Sequence, residues 1–179
     1  MLKNGNPNKN ETDGHYELKQ VAKYLAKWKG CQMVADEVGG FRDMALFPDK
    51  GGVVDVAGIK VDCGQLTSYG FEVKVTLGDF RNGYNTGADY TYIVAPKGII
   101  PPAEIPKGIG LYEVDLNDYS ITYQHAIYGI KTVKKASRRD HPERQNLCNN
   151  QTRLDLIARR LTNIMLYAHC EIIIEEAFK

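Results

Sequence analysis

The chain has 179 residues, 43% hydrophobic and 25% charged, with a formal net charge of +1. That length suits one domain with its own core. The lack of any apolar run near the ~20 residues a membrane helix needs argues against a membrane protein, and the polar, Asn-rich start "MLKNGNPNKNETDG" has no apolar stretch of a secretion signal. Cys31, Cys63, Cys148 and Cys170 lie far apart, and His15, His125, His141 and His169 show no i,i+4 pairing, so zinc spacing is absent. Free thiols in a reducing cytoplasm are the expectation.

In chain order, residues 1–13 read as a flexible N-terminal arm with too little apolar surface to order itself. Residues 15–29 carry Tyr16, Val21, Tyr24, Leu25 and Trp28 at helical spacing, with Asp13 as cap and Gly30 as stop. Residues 31–38 read as a strand, and "GGFRDMALFPDKGG" as a loop. Strands follow at 53–59, 68–75, 89–96 and 110–115, with "DFRNGYNTG" a short helix or turn and "PPAEIPKGIG" a connector with room for one helical turn. Residues 119–133 fit one strand or a bent hairpin. A single core is expected over 14–135, with 136–179 forming a basic loop and a C-terminal helix packed on it. Leu154, Ile157, Ala158, Leu161, Ile164, Met165 and Ala168 give that helix its apolar stripe. Helix, strands and terminal helix in this order predict an α/β fold with a central mixed sheet.

The chemistry concentrates in "YGFEVKVTLGDF". Phe71, Val73 and Val75 alternate with Glu72 and Lys74, so the carboxylate and the ammonium share one face of a strand. Such a pair on an exposed edge is worth little. Asp55, however, sits among Val53, Val54 and Val56, and a carboxylate in an apolar strand needs a partner. The 55–72 spacing lets one strand finish and its neighbour begin, so both carboxylates can converge beside Lys74. Asp55, Glu72 and the main-chain carbonyl of Val73 make a hard oxygen set suited to Mg2+, with Mn2+ as a substitute. Lys74 can orient a water or offset charge on a phosphate. Glu17, on the first helix, can add a ligand or hold Lys74. Asp79 reads as the N-cap of the segment that ends the strand. Asp62 is the rival to Asp55, although the following Cys63-Gly64 favours a turn. Tyr90 and Tyr92 read as core, with base stacking the lesser option.

The array Glu17, Asp55 and Glu72-Val73-Lys74 resembles the PD-(D/E)XK nuclease superfamily. "VVDVAG", "FEVKVTLGDF", "ADYTYIVAP" and "IPKGIGLYEVD" are similar more specifically to MmcB-like DNA-repair proteins. Val54 stands where many superfamily members have proline, and the segment after Asp79-Phe80 is shorter than in that family. The resemblance implies a restriction-endonuclease-like sheet flanked by helices. It also implies a Mg2+-dependent hydrolase of DNA, with Glu17, Asp55, Glu72 and Lys74 as catalytic residues, in repair, recombination or phage and mobile-element processing. The alternative is an inactive nuclease-fold module that binds DNA or a protein partner.

Charge adds one more expectation. Residues 131–160 hold nine basic and three acidic side chains, net +6, while the rest of the chain carries −5. A local basic region suits an anionic partner. Lys134, Lys135, Arg138, Arg139, Arg153 and Arg160 are the expected contacts to DNA phosphates, and a solubilising loop that also holds a homodimer is the competing use.

Overall fold

The structure, a computed structural model, describes residues 12–39, 53–62, 65–85, 87–121 and 127–139. The expected C-terminal helix, Arg153 and Arg160 lie outside them, as does nearly all of the "GGFRDMALFPDKGG" loop. Helix α1 spans Asp13–Trp28, and its cap is Thr12, whose hydroxyl accepts the His15 N–H. Asp13, expected as the cap at the end of the arm, is instead the first helical residue. A side-chain oxygen reaches N–H groups two or three residues ahead, and Thr12 is the residue so placed. Strands β1 (Met33–Gly39), β2 (Val53–Asp62) and β3 (Gln65–Val73) follow. The short helix α2 (Leu77–Arg81) precedes β4 (Tyr90–Pro96), and a 3-10 turn over Pro102–Glu104 precedes β5 (Gly110–Val114). Residues 120–134 form three pieces, β6 (Ser120–Ile121), β7 (Ile127–Tyr128) and β8 (Ile130–Lys134), which is the bent hairpin rather than one strand.

The fold is α/β, with one mixed sheet in the order β1-β2-β3-β4-β5-β8 and a small β6-β7 ribbon. β1, β2 and β3 pair antiparallel; β3, β4 and β5 pair parallel; β8 closes the sheet antiparallel to β5. This is the helix-flanked mixed sheet of the expected restriction-endonuclease-like architecture. Strand alternation builds two cores. Val56, Phe71, Val73, Tyr92, Val94, Tyr112 and Val114 meet Leu18, Val21, Ala22, Leu25 and Ala26 of α1. On the other face, Ile93 and Leu111 meet Phe80 of α2 and Ile100, Ile105 and Ile109 of the β4–β5 connection. Tyr92 is therefore core, stacked on Phe71 and tilted against Tyr112, while Tyr90 is half-buried and stacked on Tyr69. Trp28, expected on the apolar stripe of α1, is 51% exposed, because Leu18, Val21, Ala22, Leu25 and Ala26 already fill that face. Among the described residues, no helix is long and apolar enough to cross a membrane.

The seating of α1 depends on Gly58. A Cβ there would stand 2.7 Å from Cys31 Sγ and 3.1 Å from Ala26 Cβ. Gly58→Val should therefore push α1 off the sheet and destabilise the protein by about 1–3 kcal/mol, the usual cost of overpacking. Urea denaturation measures it, and an unchanged midpoint would contradict this packing.

Candidate active site

The site forms where two strand ladders fail at the same residue. Pairing of β1 with β2 runs through Asp36↔Val56 and resumes at Val38↔Val54, leaving Glu37 and Asp55 opposed between them. Glu37 has φ 52°, the left-handed conformation that a non-glycine residue adopts at a cost. The effect is visible in the packing: Val34 and Val56 lie in the α1-facing core, whereas Val38 and Val54 pack in a separate, smaller cluster with Ala35, Ala57 and Ala88. Residues two or four apart should share a face, so both strands change face at Glu37 and Asp55. On the other side, the β2–β3 ladder ends at Val56↔Phe71. One step further, Asp55 and Glu72 stand opposite each other. There the Asp55 carboxylate, at Oδ2, accepts the Val73 N–H at 2.7 Å and does the work of a missing ladder partner.

Glu72 is 4% exposed, and its Oε1 has no hydrogen-bond partner among the described residues. Lys74, 8% exposed, holds its Nζ 3.5 Å from Glu72 Oε2 and 3.8 Å from Asp79 Oδ1. These contacts are coulombic rather than short hydrogen bonds. Burial, followed by repulsion from Asp55, pushes the Glu72 carboxyl up to about 8, against the pull of Lys74 and of the Asn85 main-chain N–H. Burial also raises Asp55, opposed by the Val73 N–H and by His15, Lys74 and Lys19. Strand β3 ends at Val73, so Lys74 leads directly into the turn before α2. That helix is capped by Thr76, whose hydroxyl accepts the Asp79 N–H at 3.0 Å. Asp79 is therefore not the cap. It sits three residues into a T-x-x-D box, and its carboxylate reaches back to the Val75 N–H at 3.4 Å and toward Lys74.

The first helix contributes different residues from the one expected. His15 Nε2 lies 3.6 Å from Asp55 Oδ1, and the buried Lys19 ammonium lies 2.8 Å from Glu37 Oε1. His15 and Lys19 are four apart and share a helix face. Glu17 lies about 200° around from His15, and its carboxylate accepts the Tyr119 hydroxyl at 2.7 Å. The structure thus brings Asp55, Glu72 and Lys74 together and leaves Glu17 bound to Tyr119. His15 and Lys19 carry no motif of their own; the only signal for them was their i,i+4 spacing on a helix facing the strands. Asp62 pairs with Gln65 at the other end of β2, roughly 23 Å from Asp55 at strand rise, and is no rival for the site.

The basic residues divide in the same way. The Lys134 ammonium is held by the main-chain oxygens of Ile105 and Pro106, and Lys135 is exposed. Arg138 Nε stands 3.9 Å from the buried Asp89 carboxylate, and the Arg139 N–H is donated to the Asp89 carbonyl at 2.8 Å. Asp89 is bonded to Ser68, four residues before Glu72, so Arg138 sits roughly 13 Å along β3 from the carboxylates. Arg139 also acts on Tyr84, in the segment after α2.

Two opposed carboxylates, Glu72 buried and Asp55 half-buried, with raised protonation and an unpartnered oxygen form a donor set that fits a hard divalent cation. Among the described residues no group of three His, Cys, Asp or Glu side chains is gathered for a metal. Mg2+ commonly takes one or two carboxylates and keeps several waters. No family model and no curated protein matches the chain. Among solved structures, a protein of unknown function from Silicibacter pomeroyi is similar, at 19% identity and a TM-score of 0.47, covering 87% of this chain and 93% of that one.

The raised Glu72 carboxyl has a measurable sign. The unfolded chain releases this proton near the ordinary glutamate value of about 4.3, whereas the folded protein holds it to about 8. Wild-type stability at this position therefore falls as pH rises across that window and stays low above it. In metal-free buffer Glu72→Gln should be more stable than wild type at about pH 8–9, with the gap closing toward pH ~4.5. Urea melts across that range test it; a pH-independent difference would contradict the assignment.

Proposed function

We propose that the protein is a divalent-metal-dependent nuclease that hydrolyses phosphodiester bonds in DNA. The observation that carries the reading is the opposition of Asp55 and Glu72 where the β2–β3 ladder ends, with the Lys74 ammonium 3.5 Å from Glu72. Asp55, Glu72 and the main-chain carbonyl of Val73 would hold Mg2+ or Mn2+. When bound, the ion supplies Lewis acidity at the scissile phosphate and a readily deprotonated water. Asp55 holds the Val73 N–H, which fixes the β3 backbone between the two carboxylates. Lys74 faces both Glu72 and Asp79, so its ammonium is kept over the pair rather than in solvent. There it offsets charge that develops on the phosphate, or orients the attacking water. The sheet and burial at these residues keep bulk water from weakening those charges.

Arg138 and Arg139 form the described part of the DNA contact proposed for the basic region. At their distance along β3 from Glu72 they would meet flanking phosphates rather than the bond that is cut. The engagement of Glu17 by Tyr119 favours the second reading, a non-catalytic module that binds DNA, because the helix acid of the resembled superfamily is then not at the site.

Incubation with single- and double-stranded DNA in Mg2+, Mn2+ or EDTA separates the two readings. Metal-dependent cleavage is expected; binding without cleavage would leave the module. Asp55→Asn and Glu72→Gln should abolish cleavage with the fold retained, and Lys74→Ala should lose about a hundredfold or more. Lys74→Arg should also fail, because a planar guanidinium does not replace a compact ammonium. Single-turnover rates equal to wild type would remove these residues from the chemistry. Replacing Arg138 and Arg139 together by Ala should flatten the salt dependence of DNA affinity by up to about two counterions. Identical slopes would take both arginines out of the contact.

A further inference from the structure

The segment between α2 and β4 covers Glu72. Phe80 and Tyr84 stack with ring centroids 5.3 Å apart, which brings the chain back over the sheet, and the next residue sets its main-chain N–H beside the Glu72 carboxylate. That residue is Asn85. Its Oδ1 accepts the Gly87 N–H at 2.9 Å, so the other end of the amide is the NH2 donor. This Nδ2 is buried and has no hydrogen-bond partner among the described residues. Glu72 Oε1, in the carboxylate that the Asn85 main-chain N–H faces, is likewise an acceptor without a partner among the described residues. Leaving a buried donor unsatisfied is costly, and structures rarely keep one without use.

A ligand at these groups must bring an acceptor for Nδ2 and a donor or cation for Oε1. A phosphodiester with its counter-cation brings both. The bond from the Gly87 N–H holds the amide in one orientation, so Nδ2 is presented as a fixed donor. We propose that the Asn85 side chain donates a hydrogen bond to a non-bridging oxygen of the phosphodiester seated over Glu72, making Asn85 a substrate-contacting residue. The assignment rests on the phosphodiester reading of the Asp55–Glu72 site. Lys74 supplies charge to that phosphate, whereas Asn85 selects one of its two non-bridging oxygens, because an amide N–H is directional and an ammonium is not.

The test uses the full-length protein and oligonucleotides carrying a single Rp or Sp phosphorothioate at the cleaved position. Asn85→Asp keeps the acceptor for the Gly87 N–H and removes the donor; Asn85→Ala removes both. Each variant should cleave at least tenfold more slowly than wild type, with a cooperative urea transition retained. For wild type, one diastereomer should be cut slowly even in Mn2+, and that discrimination should vanish in Asn85→Ala. Wild-type rates in either variant overturn the proposal. So does a slow Asn85→Ala that keeps the full stereochemical preference, since Asn85 would then only support its loop. If wild type binds DNA without cutting it, the nuclease reading fails while the Asn85 contact is read from affinity. Asn85→Ala should then bind at least fivefold more weakly in Ca2+, and equal affinity overturns the contact. If wild type neither binds nor cuts DNA, both fall.

Discussion

The hydrogen bond from the Val73 N–H to the Asp55 carboxylate is the constraint on which the site depends. Antiparallel strands normally satisfy each other's main chain, and that pairing would fill the space between β2 and β3. Here the ladder stops at Val56↔Phe71, and a side chain takes the next N–H. The exchange has two consequences. The main chain of β3 stays satisfied past the end of the ladder, and the Asp55 carboxylate is fixed facing Glu72. An apolar residue at position 55 would leave the Val73 N–H without this partner.

Opposed carboxylates are unfavourable unless positive charge is close. The protein supplies it from two directions. From α1 comes Lys19, paired with Glu37, with the His15 ring beside Asp55. From the end of β3 comes Lys74, shared between Glu72 and Asp79. The balance is incomplete, because the Glu72 carboxyl remains pushed up to about 8 and one of its oxygens accepts nothing. The strained backbone of Glu37 belongs to the same design: the left-handed residue turns β1 and β2 over at the point where Asp55 must leave the pattern of its strand. Strain of this kind persists where surrounding structure holds it, here the Lys19–Glu37 pair and the cores on either side.

The parallel half of the sheet has a different task. β3, β4 and β5 run the same way, so each connection must cross a face. The α2 crossover begins at the Lys74 end of β3, and two of its residues reach the site: Asp79 beside Lys74, and Asn85, whose main-chain N–H faces the Glu72 carboxylate. The T-x-x-D box at Thr76 starts the crossover within a turn of Val73 and so keeps Asp79 next to Lys74.

The sequence by itself determined the period of each strand, the amphipathic first helix and the pairing of Glu72 with Lys74. These follow from local alternation, which the structure obeys except where β1 and β2 turn over at Glu37 and Asp55. It also marked Asp55, because a carboxylate among valines is conspicuous. It did not determine which residues of α1 meet the strands. Glu17 and His15 are two apart, and on a helix that places them on nearly opposite sides; the docking angle, set by Gly58 and the Leu18–Leu25 face, chose His15 and Lys19. The Thr76 cap was legible as T-x-x-D, but a strand read to residue 75 put the cap at Asp79, since Val75 continues the alternation beyond the real strand end at Val73. The left-handed Glu37 and the unpaired Asn85 had no local signature. Both arise from long-range contacts, with Lys19 and Asp55 for one and Glu72 for the other, and only the tertiary structure brings those partners within reach.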